Sequence, residues 1–223
     1  MNYKEVQQLL KSKCDPFFKS YGFKGKSDSE GVEFVKRTEL GAVGIVYGIT
    51  DYNPEYQVGF RIFIGSNVCY RIFHHISKTE SKYIKIPSTI SLSYAEYTGE
   101  INHRFVVRNE EDMNYLVTTC THFMEKVGFK FFESYTTLES LDKLLNSDPH
   151  TPVIYNDDIT YRAIDGLIIA KVLNNPKFDY LVNTYRDIQK NSPPHLRIYE
   201  RYVAFLQEHS REELLEIANT SPK

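Results

Sequence analysis

Several clusters in this chain hold residue types that could do chemistry. Gly25-Lys26-Ser27 has the ending of a phosphate-binding loop, in which backbone N–H groups cradle phosphates and the lysine neutralises them. The full motif needs a glycine at position 20, where Ser20 stands, and a strand before it, where the pattern is helical. The segment therefore reads as a solvated loop. His74-His75 suggests a metal, yet ligands on one helix share a face only at spacings of three or four. Adjacent positions point about 100° apart on a 3.6-residue turn, so no metal site is expected. Glu110-Glu111-Asp112 and Asp157-Asp158 pair carboxylates as a general acid and base would be paired. Both clusters fall where helices should begin, and the positive end of a helix already accounts for them. No GxSxG serine elbow and no GxGxxG loop occurs. Cys14 and Cys120 lie on apolar stripes, where a buried structural thiol is the default. No catalytic residue and no cofactor is expected.

One cluster is less easily dismissed. Tyr47, Tyr52, Tyr56, Arg61, Arg71, Tyr94, Tyr97, His103 and Arg104 are concentrated in a strand-rich block. Tyrosine and arginine supply contact area and donors at binding surfaces. Projected from a sheet face opposite its helices, Tyr47, Arg61, Arg71, Tyr94, Tyr97, His103 and Arg104 would line a groove. Tyrosines also simply fill strands well, and that reading stands beside the first.

The elements that must position these residues are announced by a phrase used twice. Phe17-Phe18-Lys19-Ser20-Tyr21-Gly22-Phe23-Lys24 is echoed by Phe123-Met124-Glu125-Lys126-Val127-Gly128-Phe129-Lys130. Each glycine fits the left-handed residue just past a helix, with Phe23 or Phe129 folding back on Phe18 or Met124. Val6, Leu10, Cys14 and Phe18 give the first helical stripe, which Pro16 should kink or break. Met113, Leu116, Cys120, Phe123 and Val127 give another, capped by Asn109. Between them, Val32–Arg37, Gly41–Thr50 and Tyr56–Ile64 alternate as strands, the last two joined through Tyr52-Asn53-Pro54-Glu55. Val43, Ile45, Tyr47 and Ile49 share one face. Ala42, Gly44, Val46 and Gly48 leave the other nearly bare, so that a helix or another backbone can approach. Val68 to Ile76 fits a helix capped by Ser66 or Asn67, and Ile90–Tyr97 with Arg104–Val107 reads as a second hairpin.

After residue 135 the period changes to that of helices. Thr136 to Glu139 and Ser210 to Glu213 read as capping boxes, Asn156 or Asp157 starts a long helix, and Pro176 and Pro193 suit first turns. The expected fold is α+β: a mostly antiparallel sheet of four or five strands with two helices on one face (residues 1–135). An all-helical part packed on it follows (136–223).

The chain has 223 residues, 41% hydrophobic and 25% charged, enough for a core without staples. Three distant cysteines without a CxxC pair fit a reducing compartment. The opening residues lack a signal-peptide pattern, and the longest apolar stretch is far short of a membrane span. A soluble, cytoplasmic protein is expected. Net charge is −2, with 17 basic and 16 acidic residues through Tyr135 and 10 and 13 beyond it. That balance speaks against nucleic acid and membrane surfaces as partners.

The opening helix, the Tyr21-Gly22-Phe23-Lys24 cap, the following strands and the Arg162-Ala163-Ile164-Asp165-Gly166-Leu167 helix with its Asn174-Asn175-Pro176 break resemble a broad group of bacterial domain-of-unknown-function proteins. Some proteins of this style sit beside toxins as immunity proteins. The resemblance carries no activity and no site residue. The expected function is a non-enzymatic binding or interaction protein, with another protein as partner, and an immunity-type partner is the form the resemblance implies. The alternative is an enzyme or small-molecule sensor with its site between the sheet and the carboxyl-terminal helices.

Overall fold

A computed structural model describes residues 1–29, 31–52, 54–79, 88–100, 102–156 and 158–220. It divides into two compact units. The first comprises 1–38, 42–64 and 91–134, and the second 39–41, 65–90 and 135–223. The α+β class is as expected, with an antiparallel sheet in the amino-terminal part followed by helices. The division is not a single cut at residue 135, because residues 65–90 belong with the helices.

In the first unit, helix α1 (Tyr3–Ser20) starts at a capping box between Asn2 and Glu5. It continues through Pro16 as one element, so of the expected kink or break the break does not occur. Proline removes one donor only, and the stripe of Val6, Leu10, Cys14 and Phe18 stays fully buried on either side of it. Its end is the expected cap. Gly22 has φ +82°, the Gly22 N–H donates to the Lys19 carbonyl, and the Phe23 N–H donates to the Phe18 carbonyl. The Phe23 ring meets the Phe18 ring edge-on at 5.8 Å.

The strands are β1 (Lys24–Ser27), β2 (Gly31–Arg37), β3 (Gly41–Tyr52), β4 (Glu55–Ser66), β5 (Ile90–Ser93) and β6 (Phe105–Val107). They run β1-β2-β3-β4-β5, with β6 also paired to β4. The turn expected between β3 and β4 includes Asn53, which lies outside the described residues. The second hairpin expected from the sequence does not form. Ser93 and Glu96 make a capping box that turns the chain into helix α3 (Tyr94–Thr98), and β6 pairs instead with Tyr56–Val58 of β4.

Helix α4 (Glu110–Phe123) begins at Asn109, whose side chain accepts from the Glu111 and Asp112 N–H groups. The repeated phrase fails at its second copy. Gly128 lies inside a π-turn (Met124–Gly128) that runs on into α5 (Phe129–Ser134), with the Phe129 N–H donating to the Met124 carbonyl. Apolar Phe131 and Phe132 prolong the buried stripe, so the chain gains by staying helical. A β-carbon on Gly128 would stand 2.6 Å from the Met124 sulfur. This glycine makes room for a side chain rather than for a left-handed turn.

Tyr47 projects from β3 to the face covered by helices. Its hydroxyl is 3.5 Å from the Cys14 sulfur of α1 and 2.7 Å from the Cys120 sulfur of α4. Both helices therefore lie on one face of the sheet. The other face carries the alternate residues of each strand.

In the second unit, α2 (Asn67–Ser77) is capped by Ser66. It groups with α6 (Leu138–Asn146), α7 (Ile159–Val172), α8 (Phe178–Gln189), α9 (Pro193–Glu208) and α10 (Arg211–Asn219). The cap of α6 falls one residue later than expected, at Thr137 with Ser140. The cap of α7 is Asp158, and Asp157 lies outside the described residues. Arg162, 2% exposed, donates to the Leu145 carbonyl in the last turn of α6 and to the Asp148 and Thr151 carbonyls just past it. It satisfies carbonyls that a helix end leaves without internal partners. Arg71 is also in this unit, its guanidinium 2.6 Å from the Ala218 carbonyl of α10.

Candidate binding groove

The uncovered sheet face of the first unit holds a groove of about 480 Å³. Its floor is Gly48 and Gly59, and its walls carry Arg61, Arg104, Ser93 and Thr50. Strand alternation explains the arrangement. In β4, Tyr56, Val58, Phe60 and Ile62 turn inward, which leaves Gln57, Gly59 and Arg61 on the opposite side. In β3, Gly48 faces the same way, opposite Tyr47 and Ile49. Gly31 of β2 pairs directly with Gly48.

The bare strand face read from the sequence has two fates. Near Gly44 it is filled by the Phe63 ring, 2.8 Å from where a β-carbon would stand. At Gly48 it is open, and a β-carbon would meet no atom within 4 Å. Arg104 lies across Gly59, with its Cδ 3.0 Å from the position a β-carbon would take. Its Nη1 donates to the His103 carbonyl. Arg61 and Arg104 are both exposed. Among the described residues, neither forms an ion pair.

The charge of this face is one-sided. Pairing of Lys24 with Val35 and of Lys26 with Glu33 places both lysines on the groove side, and Arg37 follows by the alternation of β2. All three are exposed. Two acids share this face: Glu33 sits 3.7 Å from the Lys26 ammonium, and Glu55, at the start of β4, sits 3.1 Å from the Arg108 guanidinium.

The seven residues singled out from the sequence separate into four places. Arg61 and Arg104 share the groove. Tyr47 is fully buried on the helix side, so it offers no binding surface. Burial raises its hydroxyl pKa, and the neighbouring Cys120 and Cys14 add to the effect. Tyr94, Tyr97 and His103 gather on the helix side around Phe123 and Phe105. Tyr94 lies 5.7 Å and Tyr97 5.3 Å from the Phe123 ring, and His103 lies 4.8 Å from Phe105. His103 Nδ1 is 2.5 Å from Glu100, and Tyr97 remains 51% exposed. Arg71 belongs to the helical unit, away from this set.

Gly48, Gly59, Thr50 and Ser93 were not singled out. The runs of glycine on one strand face were the available signal, but the alignment of Gly48 with Gly59 depends on strand pairing. Ser93 is occupied as the α3 cap, accepting from the Glu96 N–H. The groove can therefore hold an anion between two guanidinium groups. Its lining contains no histidine, cysteine or carboxylate to activate a hydroxyl.

Among the described residues, no cluster of three metal-ligating side chains occurs, and no helix is long and apolar enough to cross a membrane. Comparison with protein-family models, curated proteins and solved structures finds no match.

Proposed function

We propose that the protein is a non-enzymatic binding protein that takes another protein as its partner, on the uncovered sheet face of its amino-terminal unit. The observation that carries this reading is the pair Arg61 and Arg104, exposed on a glycine-floored groove without ion-pair partners among the described residues. Arginines held this way are ready to meet carboxylates or other planar anions from outside. The lining supplies anchors but no acid–base pair, which favours capture over turnover.

The test is parallel affinity capture from the native source with wild type and the Arg61→Ala/Arg104→Ala variant, read by quantitative mass spectrometry. A protein retained by wild type and lost from an equally folded variant supports the reading. Identical capture by both overturns it.

A further inference from the structure

We propose that the occupant of the groove is an acidic peptide segment of the partner, laid extended over the open floor at Gly48 with its carboxylates on Arg61 and Arg104. This rests on the binding function proposed above and specifies what is bound.

Charge is the first argument. Arg61, Arg104, Arg37, Lys24 and Lys26 are exposed on the groove side, against Glu33, which Lys26 partners, and Glu55 at the start of β4, which Arg108 partners. The whole chain is weakly negative at −2, so this sign is local to the face. A concentrated field of one sign selects ligands of the other and speeds their arrival.

Shape is the second argument. Gly48 leaves its part of the floor open, with no atom within 4 Å of where a β-carbon would stand, so a ligand backbone can come down to the level of the sheet beside the Arg104 side chain that lies across Gly59. The volume of about 480 Å³ is in the range of sites that enclose a compact ligand. A strand-like segment presents its side chains alternately to one face, which suits two separated guanidinium groups, one carboxylate to each.

The chemistry of the lining excludes the other anions. Single-stranded nucleic acid is held by bases stacked on aromatic side chains, and the one aromatic in the lining, Phe60, is buried with its ring packed on Tyr47, Phe105 and Phe123 of the opposite face. A phosphate site gathers several donors on one group, commonly backbone N–H groups. Here Arg104 spends one donor on the His103 carbonyl, and no further cation lines the groove.

The experiment is fluorescence anisotropy on the full chain at low and high salt. The probes are a labelled peptide of alternating glutamate and threonine, its glutamine counterpart, a phosphoserine peptide of equal length and a short single-stranded oligonucleotide. The glutamate peptide is expected to bind, weaken with salt, and exceed the glutamine peptide by about tenfold or more. Arg61→Gln/Arg104→Gln should reduce that affinity by about tenfold. Gly48→Leu should reduce it as much by filling the trough, in a chain whose circular dichroism and melting temperature match wild type.

Equal binding of the glutamine peptide, tighter binding of the phosphopeptide or oligonucleotide, or unchanged affinity in both variants overturns the proposal. No binding of the glutamate peptide, together with arginine-dependent capture of a partner protein, overturns this inference alone and leaves the binding function standing. Should the arginine variant unfold, the Gly48→Leu result decides by itself.

Discussion

The Tyr47 hydroxyl lies 2.7 Å from the Cys120 sulfur and also meets Cys14, so one polar atom on the sheet serves a thiol on each covering helix. Tyr47→Phe keeps the ring and removes that atom. It should cost about 1–2 kcal/mol, because buried sulfurs lose their partner in a site closed to water. For a chain of this size that lowers the melting temperature by roughly 2–8 °C, measurable by differential scanning calorimetry. An unchanged melting temperature would show that the hydroxyl contributes nothing to the layer.

All three cysteines are buried. Burial pushes the Cys14 thiol up to about 11 and drives Cys69 and Cys120 further above the ordinary range. Thiolate is therefore scarce at neutral pH, and it is the thiolate that reacts. Native protein at pH 8 should resist a thiol-specific reagent, and all three sites should label after guanidinium is added. Mass spectrometry after brief labelling checks this; fast native reaction at Cys14 would contradict the burial.

Arg162 closes the end of α6 by donating to three carbonyls. Arg162→Met removes every one of those donors and should cost about 3 kcal/mol or more. Arg162→Lys should recover only part, since an ammonium cannot reproduce the planar fork. Guanidinium denaturation midpoints measure both; a lysine variant as stable as wild type would reduce Arg162 to a point charge.

Asp165 on α7 is only partly exposed, and burial raises its carboxyl to about 8. The folded state thus holds a proton that the unfolded state releases near pH 4. The corresponding stabilisation is complete below pH 4, shrinks as pH rises toward 8, and stays lost above that. Asp165→Asn, always neutral, should therefore gain on wild type as pH climbs from 5 to 9. Melting curves of both proteins across that range decide it; parallel curves would mean that the carboxylate is solvated when charged.

Gly22 and Gly128 stand in the same phrase and do different things. Gly22→Ala should cost about 1 kcal/mol through its left-handed backbone. Gly128→Ala should act through crowding of the Met124 sulfur, so Gly128→Ala/Met124→Ala should cost less than the sum of its single substitutions. Urea denaturation of the four variants tests both statements.

What separates the two copies is the sequence that follows. Lys24-Gly25-Lys26-Ser27 offers nothing for a helix to bury, whereas Phe129, Phe131 and Phe132 extend the stripe of α4. Local alternation was enough to place β2, β3 and β4, since each buries one face over several residues. It located β5 and β6 within Ile90–Tyr97 and Arg104–Val107 but not their pairing, since strands of four and three residues carry little register information and both find their partner in β4 rather than in each other. For the groove, the arginine types were visible in the chain. Their trough was not, because it exists only once Gly48 of β3, Gly59 of β4 and Arg104 ahead of β6 come to line one pocket. Tyr47 misled for the opposite reason, since a tyrosine on an apolar strand face can be a buried polar tether as readily as a contact residue.

The outermost strand of the sheet, β1, is four residues long and carries Lys24 and Lys26. A second copy adding edge to edge would bring ammonium groups close together with little ladder to compensate. The same lysines that tint the groove face thus discourage the sheet from growing into a fibre.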